Sequence, residues 1–114
     1  MGYGLKIGSR EINSKSAAYP MGNIIRDILP DVEETDAGWK LKKKHIAELA
    51  SFTGILLKED DALKYYINGH KDFYGFDDDF EEVKENIQFI HICLTDTLID
   101  MVLFKDKYVK VRWV

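Results

Sequence analysis

Carboxylates and aromatic rings crowd into one 27-residue stretch, Glu59 to Glu85. The stretch holds ten acidic residues against three lysines, a net charge of −7, whereas the whole chain carries −4. The interspersed rings are Tyr65, Tyr66, Phe73, Tyr74, Phe76 and Phe80. Charges attract a partner over long distances and aromatic rings anchor it at short range, so this mixture is typical of a surface that docks a basic protein.

The residues predicted to contact such a partner are eight carboxylates and two tyrosines. They are Asp60, Asp61, Tyr65, Asp72, Tyr74, Asp77, Asp78, Asp79, Glu81 and Glu82. A helix that begins near Asp78 would use some of the acids, because acids at a helix start complement its dipole and cap its free N–H groups. Five acids lie between Asp77 and Glu82, however, and like charges this close repel each other. A functional role would explain the surplus, and we predict that the segment faces a cationic partner as well as starting a helix.

The same acids do not form a calcium loop. Such a loop needs a glycine at its sixth position and a glutamate at its twelfth. Counted from Asp77, these positions hold Glu82 and Gln88. We therefore expect neither a metal site nor a cofactor.

The other residues that could do chemistry are Cys93 and the three histidines. Cys93 and His91 would share one face of a strand, but an apolar strand predicts a buried, inert thiol. His45, His70 and His91 lack any metal-ligand spacing, and only His70 lies in the predicted docking loop. Phosphate loops and nucleophile elbows are absent from the sequence, so we expect no enzyme activity.

The only basic cluster in the sequence is formed by Lys40, Lys42, Lys43 and Lys44. It fits either a phosphate-binding surface or a solvated helix face. Because the pI is about 5.3 and nucleic-acid binding normally needs a basic face, we predict a protein partner and no nucleic acid.

Length and composition predict one soluble domain, residues 1–114, with 46% hydrophobic and 32% charged residues. Cys93 is the single cysteine, which suits a reducing compartment. No signal peptide is recognisable at the start of the sequence. The apolar run from Ile87 to Phe104 is interrupted by His91, Asp96 and Asp100, which argues against a membrane span. We expect a cytoplasmic protein that does not act on a membrane.

Helical periodicity dominates the first two thirds of the sequence. A first helix is predicted around Met21 to Leu29, with Pro20 in its first turn and Pro30 at its end. An acidic loop follows, and a second helix is predicted over Leu41 to Thr53 with Gly54 as its C-terminal cap. A third helix is predicted over Glu59 to Ile67.

The C-terminal third is predicted to form strands. Tyr108 to Val114 alternates with period two, which places Val109, Val111 and Trp113 toward the core. Gln88 to Leu94 and Ile99 to Phe104 are rich in β-branched residues and are predicted as two further strands, with a turn at Thr95 to Thr97.

One alternative to these strands is left open, because five apolar residues also fit a helix: Ile87, Ile90, Leu94, Leu98 and Met101. Tyr3 to Ile12 could add a short strand to the sheet edge. The predicted fold class is α+β, with N-terminal helices packed on a C-terminal three-stranded antiparallel meander.

In size, acidity and lack of a catalytic motif, the chain resembles the small immunity proteins of bacterial toxin–immunity pairs. The residues behind the resemblance are Glu59 to Asp61 and Asp72 to Glu85, with Tyr65, Tyr66 and Tyr74. In such pairs an acidic protein often covers the active site of a cationic nuclease toxin. The resemblance implies a toxin inhibitor that acts by occlusion, and phage-encoded inhibitor proteins fit the same description.

Two other functions fit the sequence. The first is an assembly or adaptor subunit, phage or virion related, whose apolar surface mediates association and whose interface includes Trp39 or Trp113. The second is a small enzyme or ligand-binding domain, which would need a deep pocket containing His70 and two carboxylates.

Overall fold

The computed structural model describes residues 4–12, 15–70 and 79–114, which form helices and one four-stranded antiparallel sheet. In chain order the elements are β1 (Leu5–Ile7), β2 (Arg10–Ile12), α1 (Lys15–Ile28), β3 (Gly38–Lys42), α2 (Lys43–Lys58), α3 (Asp60–Gly69), α4 (Phe80–Leu103) and β4 (Tyr108–Trp113). The strand order across the sheet is β2-β1-β4-β3. The α+β class is therefore confirmed. The predicted arrangement is wrong, because four strands interleave with the helices instead of following them as a three-stranded meander.

Residues 87–104 differ most from the predicted structure. Gln88 to Leu94 and Ile99 to Phe104 are not strands, and Thr95 to Thr97 is not a turn, because all but Phe104 belong to the long helix α4. The helical alternative was the right one, since the buried residues of α4 recur every three or four positions. The β-branched Thr97 fits the helix because its hydroxyl donates a 2.7 Å hydrogen bond to the Cys93 carbonyl. Packing on the core thus overrides β-propensity in this segment.

The predicted C-terminal strand is confirmed as β4, and it lies in the interior of the sheet between β1 and β3. Val111 is fully buried, while Val109 and Trp113 are half-buried and pack against the core. The strand expected near the N-terminus proves to be a hairpin, in which Gly8 takes a positive φ of 60° between β1 and β2. At Gly38 a side chain is excluded, because a Cβ there would overlap the Val111 carbonyl oxygen.

The predicted N-terminal helices exist with different bounds. α1 begins at Lys15, so Pro20 lies inside the helix instead of in its first turn. Leu41 belongs to β3 and not to the second helix, and α2 continues through Gly54 to Lys58. The prediction of Gly54 as a C-terminal cap is therefore wrong. The third predicted helix is confirmed as α3.

The helices and the inner face of the sheet share one hydrophobic core. Leu5, Ile7, Leu41 and Val111 point from the strands into this core and are fully buried. The alternate residues of the same strands point to the opposite side of the sheet, where Lys40, Lys42, Lys110 and Arg112 are exposed.

By length and composition, α4 could cross a membrane, because an 18-residue window reaches a mean hydropathy of 1.2. One third of that window is buried inside the protein, and α4 packs against α1 and α2. A core helix passes the same test.

Candidate protein-docking site

The starts of α3 and α4 lie side by side, although 20 residues separate them in the sequence. The Lys84 ammonium of α4 is 2.9 Å from a carboxylate oxygen of Asp60 at the start of α3. A second contact places the Lys64 ammonium of α3 5.1 Å from the centroid of the Phe80 ring in α4. The first turns of both helices therefore contribute to a single surface.

This surface, which we call the acidic end, combines the predicted residues of both helices that the structure describes. They are Asp60, Asp61, Tyr65, Asp79, Glu81 and Glu82, and all six are exposed. Tyr65 is 84% exposed, the highest value among the large apolar side chains that the structure describes. It lies one helical turn after Asp61, so the ring and the carboxylate share one face of α3.

The four remaining predicted contact residues, Asp72, Tyr74, Asp77 and Asp78, lie outside the described residues. The same holds for the docking loop as a whole after His70.

The acids at the two N-cap positions make no capping hydrogen bond, whereas the acids of the first turns that follow lie where the helix dipole favours them. Glu59 and Asp79 occupy the N-cap positions of α3 and α4, and neither side chain makes a capping hydrogen bond. Their carboxylates remain available to other groups. Asp60 differs, because its hydrogen bond and ion pair with Lys84 lower the pKa of its carboxyl group. Of the predicted contact residues, Asp60 thus has part of its charge already compensated.

Cys93 is buried, as predicted, although in a helix and not in a strand. Burial raises the pKa of its thiol, which disfavours the reactive thiolate. His91 does not act with Cys93, because its Nδ1 lies 2.8 Å from the hydroxyl oxygen of Thr53 in α2. The Thr53 hydroxyl oxygen also lies 3.0 Å from the Leu49 carbonyl oxygen; in the tautomer that carries a proton on Nδ1, His91 donates to Thr53 while Thr53 donates to Leu49. This contact joins α2 to α4.

His70 lies beside a carboxylate of α1 and an aromatic ring of its own helix. Its Nε2 is 3.4 Å from Asp27, and its ring stacks on Tyr66 with 4.1 Å between centroids. Two surface cavities of about 470 and 200 Å³ are lined by other residues, the larger beside β3 and the smaller around His45. Among the described residues, no group of three histidines, cysteines or carboxylates could hold a metal ion.

His45 is half-buried at the start of α2 instead of packed in the core. Its Nδ1 accepts a 3.0 Å hydrogen bond from the Lys42 backbone N–H. Burial and the neighbouring Lys44 lower the pKa of the His45 ring.

Sequence reasoning missed two further surfaces. One is an apolar stripe on the outside of α4, whose exposed members are Phe89, Ile92, Ile99, Val102 and Leu103. The helical alternative for residues 87–104 would have revealed it, because these positions fall on one side of a helix with 3.6 residues per turn. The other surface is the outer face of the sheet. The tryptophans proposed for an interface lie elsewhere: Trp39 is 4% exposed, and Trp113 is half-buried against it with 6.0 Å between ring centroids.

No family model, no curated protein and no solved structure matches this chain.

Proposed function

We propose that this protein binds and neutralises a basic protein, as an immunity protein does with a cationic nuclease toxin. The observation that carries the proposal is the convergence of two acidic helix starts, α3 and α4, on one exposed surface beside Tyr65. Neither N-cap carboxylate is used for capping, which leaves the charge available to a partner.

Inhibition would work by occlusion. The carboxylates of the acidic end take the positions that nucleic-acid phosphates occupy in the toxin's cleft, and Tyr65 fills a pocket. Opposite charges speed the encounter of the two proteins, while the buried ring slows their separation. No catalytic group of this chain takes part, so the mechanism fits a protein without enzyme activity.

The test first searches the genes on either side of this chain's gene for one that encodes a basic protein, and uses that protein as the candidate toxin. Its affinity for the wild-type chain is compared with its affinity for the triple variant Asp61→Asn, Glu81→Gln, Glu82→Gln, which removes three charges with little change in shape. We expect the variant to bind about tenfold more weakly at low salt. Inhibition of the toxin's nuclease activity should fall in parallel.

The matched control removes three acids outside the two helix starts, by Asp31→Asn and Asp36→Asn in the loop between α1 and β3 and by Asp106→Asn after α4. Asp106 follows the C-terminus of α4, about 36 Å from the acidic end along a 24-residue helix. The control variant should bind like the wild type. An equal loss of affinity in both variants would show that net charge and not the acidic end governs binding, and failure of the wild-type chain to bind would refute the proposal.

The apolar stripe on α4 supports a second candidate function, an assembly or adaptor subunit. Its side chains are between 44% and 69% exposed, and large apolar side chains grouped on one helix face are typical of association sites. Light scattering after size-exclusion chromatography at high salt distinguishes the candidates. An oligomer that persists in high salt and dissociates on Ile92→Glu with Leu103→Glu would favour the adaptor, whereas a monomer would exclude self-assembly through this stripe.

A further inference from the structure

The outer face of the sheet gathers cations that are scattered in the sequence. From β2 to β3 across the sheet, the outward-pointing charged residues are Glu11, Lys6, Arg112, Lys110, Lys40 and Lys42. Five cations against one acid give this face a net charge of +4, although the chain as a whole carries −4. Only the pairing of strands that are distant in sequence creates the patch.

Four of these cations lack a compensating charge. The Lys6 ammonium lies 3.6 Å from a carboxylate oxygen of Glu11. Among the described residues, no ion pair is formed by the other four cations, which are Lys40, Lys42, Lys110 and Arg112. The strand register even sets like charges directly opposite each other, Lys40 against Lys110 and Lys6 against Arg112. Opposed like charges destabilise a sheet. An anionic ligand would relieve this repulsion on binding.

A groove and an aromatic ring adjoin the cations. The groove, about 470 Å³ in volume, lies beside β3, where Lys40, Lys110 and Arg112 line it together with Glu33 and Trp39. This volume is within the range of small-molecule sites, so it can accommodate a planar ring the size of a nucleobase. Tyr108 is 47% exposed on the same face, with the Lys40 ammonium 4.2 Å from its ring centroid.

We propose that the outer face of the sheet binds a single nucleic-acid strand through its phosphates, with one base in the groove beside β3. Cations that follow a backbone, combined with an exposed aromatic ring, are the features by which proteins hold single strands without reading their sequence. The proposal is independent of the acidic end, which lies on helices α3 and α4. It reverses the expectation, drawn from the overall pI, that no nucleic acid is bound, because the basic face forms only when the strands pair.

A single nucleic-acid strand fits this face of the sheet better than an acidic protein or an anionic membrane does. The patch is a flat band across three strands, about 10 Å wide at 4.8 Å per strand, which matches one chain of phosphates better than a broad protein contact. An anionic membrane would bind more strongly beside a group of exposed apolar side chains, whereas Tyr108 is the one apolar side chain that points outward from β1, β3 and β4.

The test measures fluorescence polarisation of a labelled thymidine strand of about 12 nucleotides over a range of salt concentrations. With four unpaired cations engaged, the logarithm of the binding constant should fall with a slope of about −3 against the logarithm of salt concentration. Affinity should therefore drop about 50-fold between about 50 and 200 mM salt. In Lys40→Gln with Lys110→Gln two contacts are lost, and the same change of salt should cost only about sevenfold.

Two matched variants control the experiment. Lys58→Gln with Lys64→Gln removes two lysines from α2 and α3, and should bind like the wild type. Lys40→Arg with Lys110→Arg keeps the charge and should retain the affinity, provided that circular dichroism shows each variant to be folded.

Three results would overturn the proposal. The first is no binding of the strand at low salt. The second is an equal loss of the salt dependence in the α2–α3 variant. The third is binding of poly-glutamate or of phosphatidylserine vesicles that is lost in Lys40→Gln with Lys110→Gln, without any binding of the thymidine strand. That result would assign the outer face of the sheet to a different anionic partner.

Discussion

Replacing Lys110 with glutamine is expected to stabilise the protein, because it removes a like-charge pair from the interior of the sheet. Lys110 lies directly opposite Lys40, and both side chains are exposed. Cross-strand pairs of this kind change stability by about 0.2 to 1 kcal/mol. The Lys40 ammonium lies over the ring of its diagonal neighbour Tyr108, which turns it away from Lys110. The repulsion therefore falls in the lower half of the range, about 0.3 to 0.5 kcal/mol.

The free energy of unfolding is measured by urea denaturation at low and high salt, with the melting temperature as a second readout. At low salt the melting temperature of Lys110→Gln should rise by about 2 °C. In 1 M salt, where the screening length is about 3 Å, the gain should disappear. Lys105→Gln, in the turn before β4, removes the same charge without an opposing lysine and should change neither quantity.

A stability loss in Lys110→Gln, or a gain that is the same in 1 M salt, would refute this reasoning. The lysine would then contribute by packing and not by charge. If the prediction holds, Lys110→Gln stabilises the fold and weakens the binding of the nucleic-acid strand. This combination is expected where a protein keeps an unfavourable charge for its function.

Three further predictions concern the core. Gly22→Ala should destabilise the protein by about 1 to 2 kcal/mol in urea denaturation, because the added Cβ would lie 2.9 Å from the Trp113 ring; unchanged stability would show that the ring can move away. Thr53→Val should cost about 1 kcal/mol, since it leaves His91 Nδ1 without its hydrogen-bond partner; the same cost in a His91→Phe background would contradict the hydrogen bond. Cys93 should react slowly with a thiol reagent in the folded protein, and rapid labelling would contradict its burial. Because burial raises the pKa of the Cys93 thiol, the contribution of this thiol to stability is present at neutral pH and is lost as the pH rises through the raised pKa.

The period-two pattern of β4 was sufficient to predict this strand, because alternate residues must point to opposite faces of a sheet. The order of the strands was not accessible in the same way. β4 pairs with β1 and β3, which lie about 100 and 70 residues earlier, and nothing local in the sequence specifies such pairing.

The segment now known as α4 shows a different limit. Its β-branched residues favoured strands, while its apolar spacing at Ile87, Ile90 and Leu94 favoured a helix, and only packing against α2 decides between them. For the same reason the acidic residues could be found in the sequence, but the contact of Asp60 with Lys84 that joins the two helix starts could not.

The most direct test of the acidic end is the association rate constant of the basic partner, measured by stopped flow over a range of ionic strengths. For the wild-type chain the rate should fall steeply as salt is added. For the variant with Asp61→Asn, Glu81→Gln and Glu82→Gln, it should be about tenfold lower at low salt, and the two rates should converge at high salt. Equal rates for the two proteins at low salt would contradict a docking role for the acidic end.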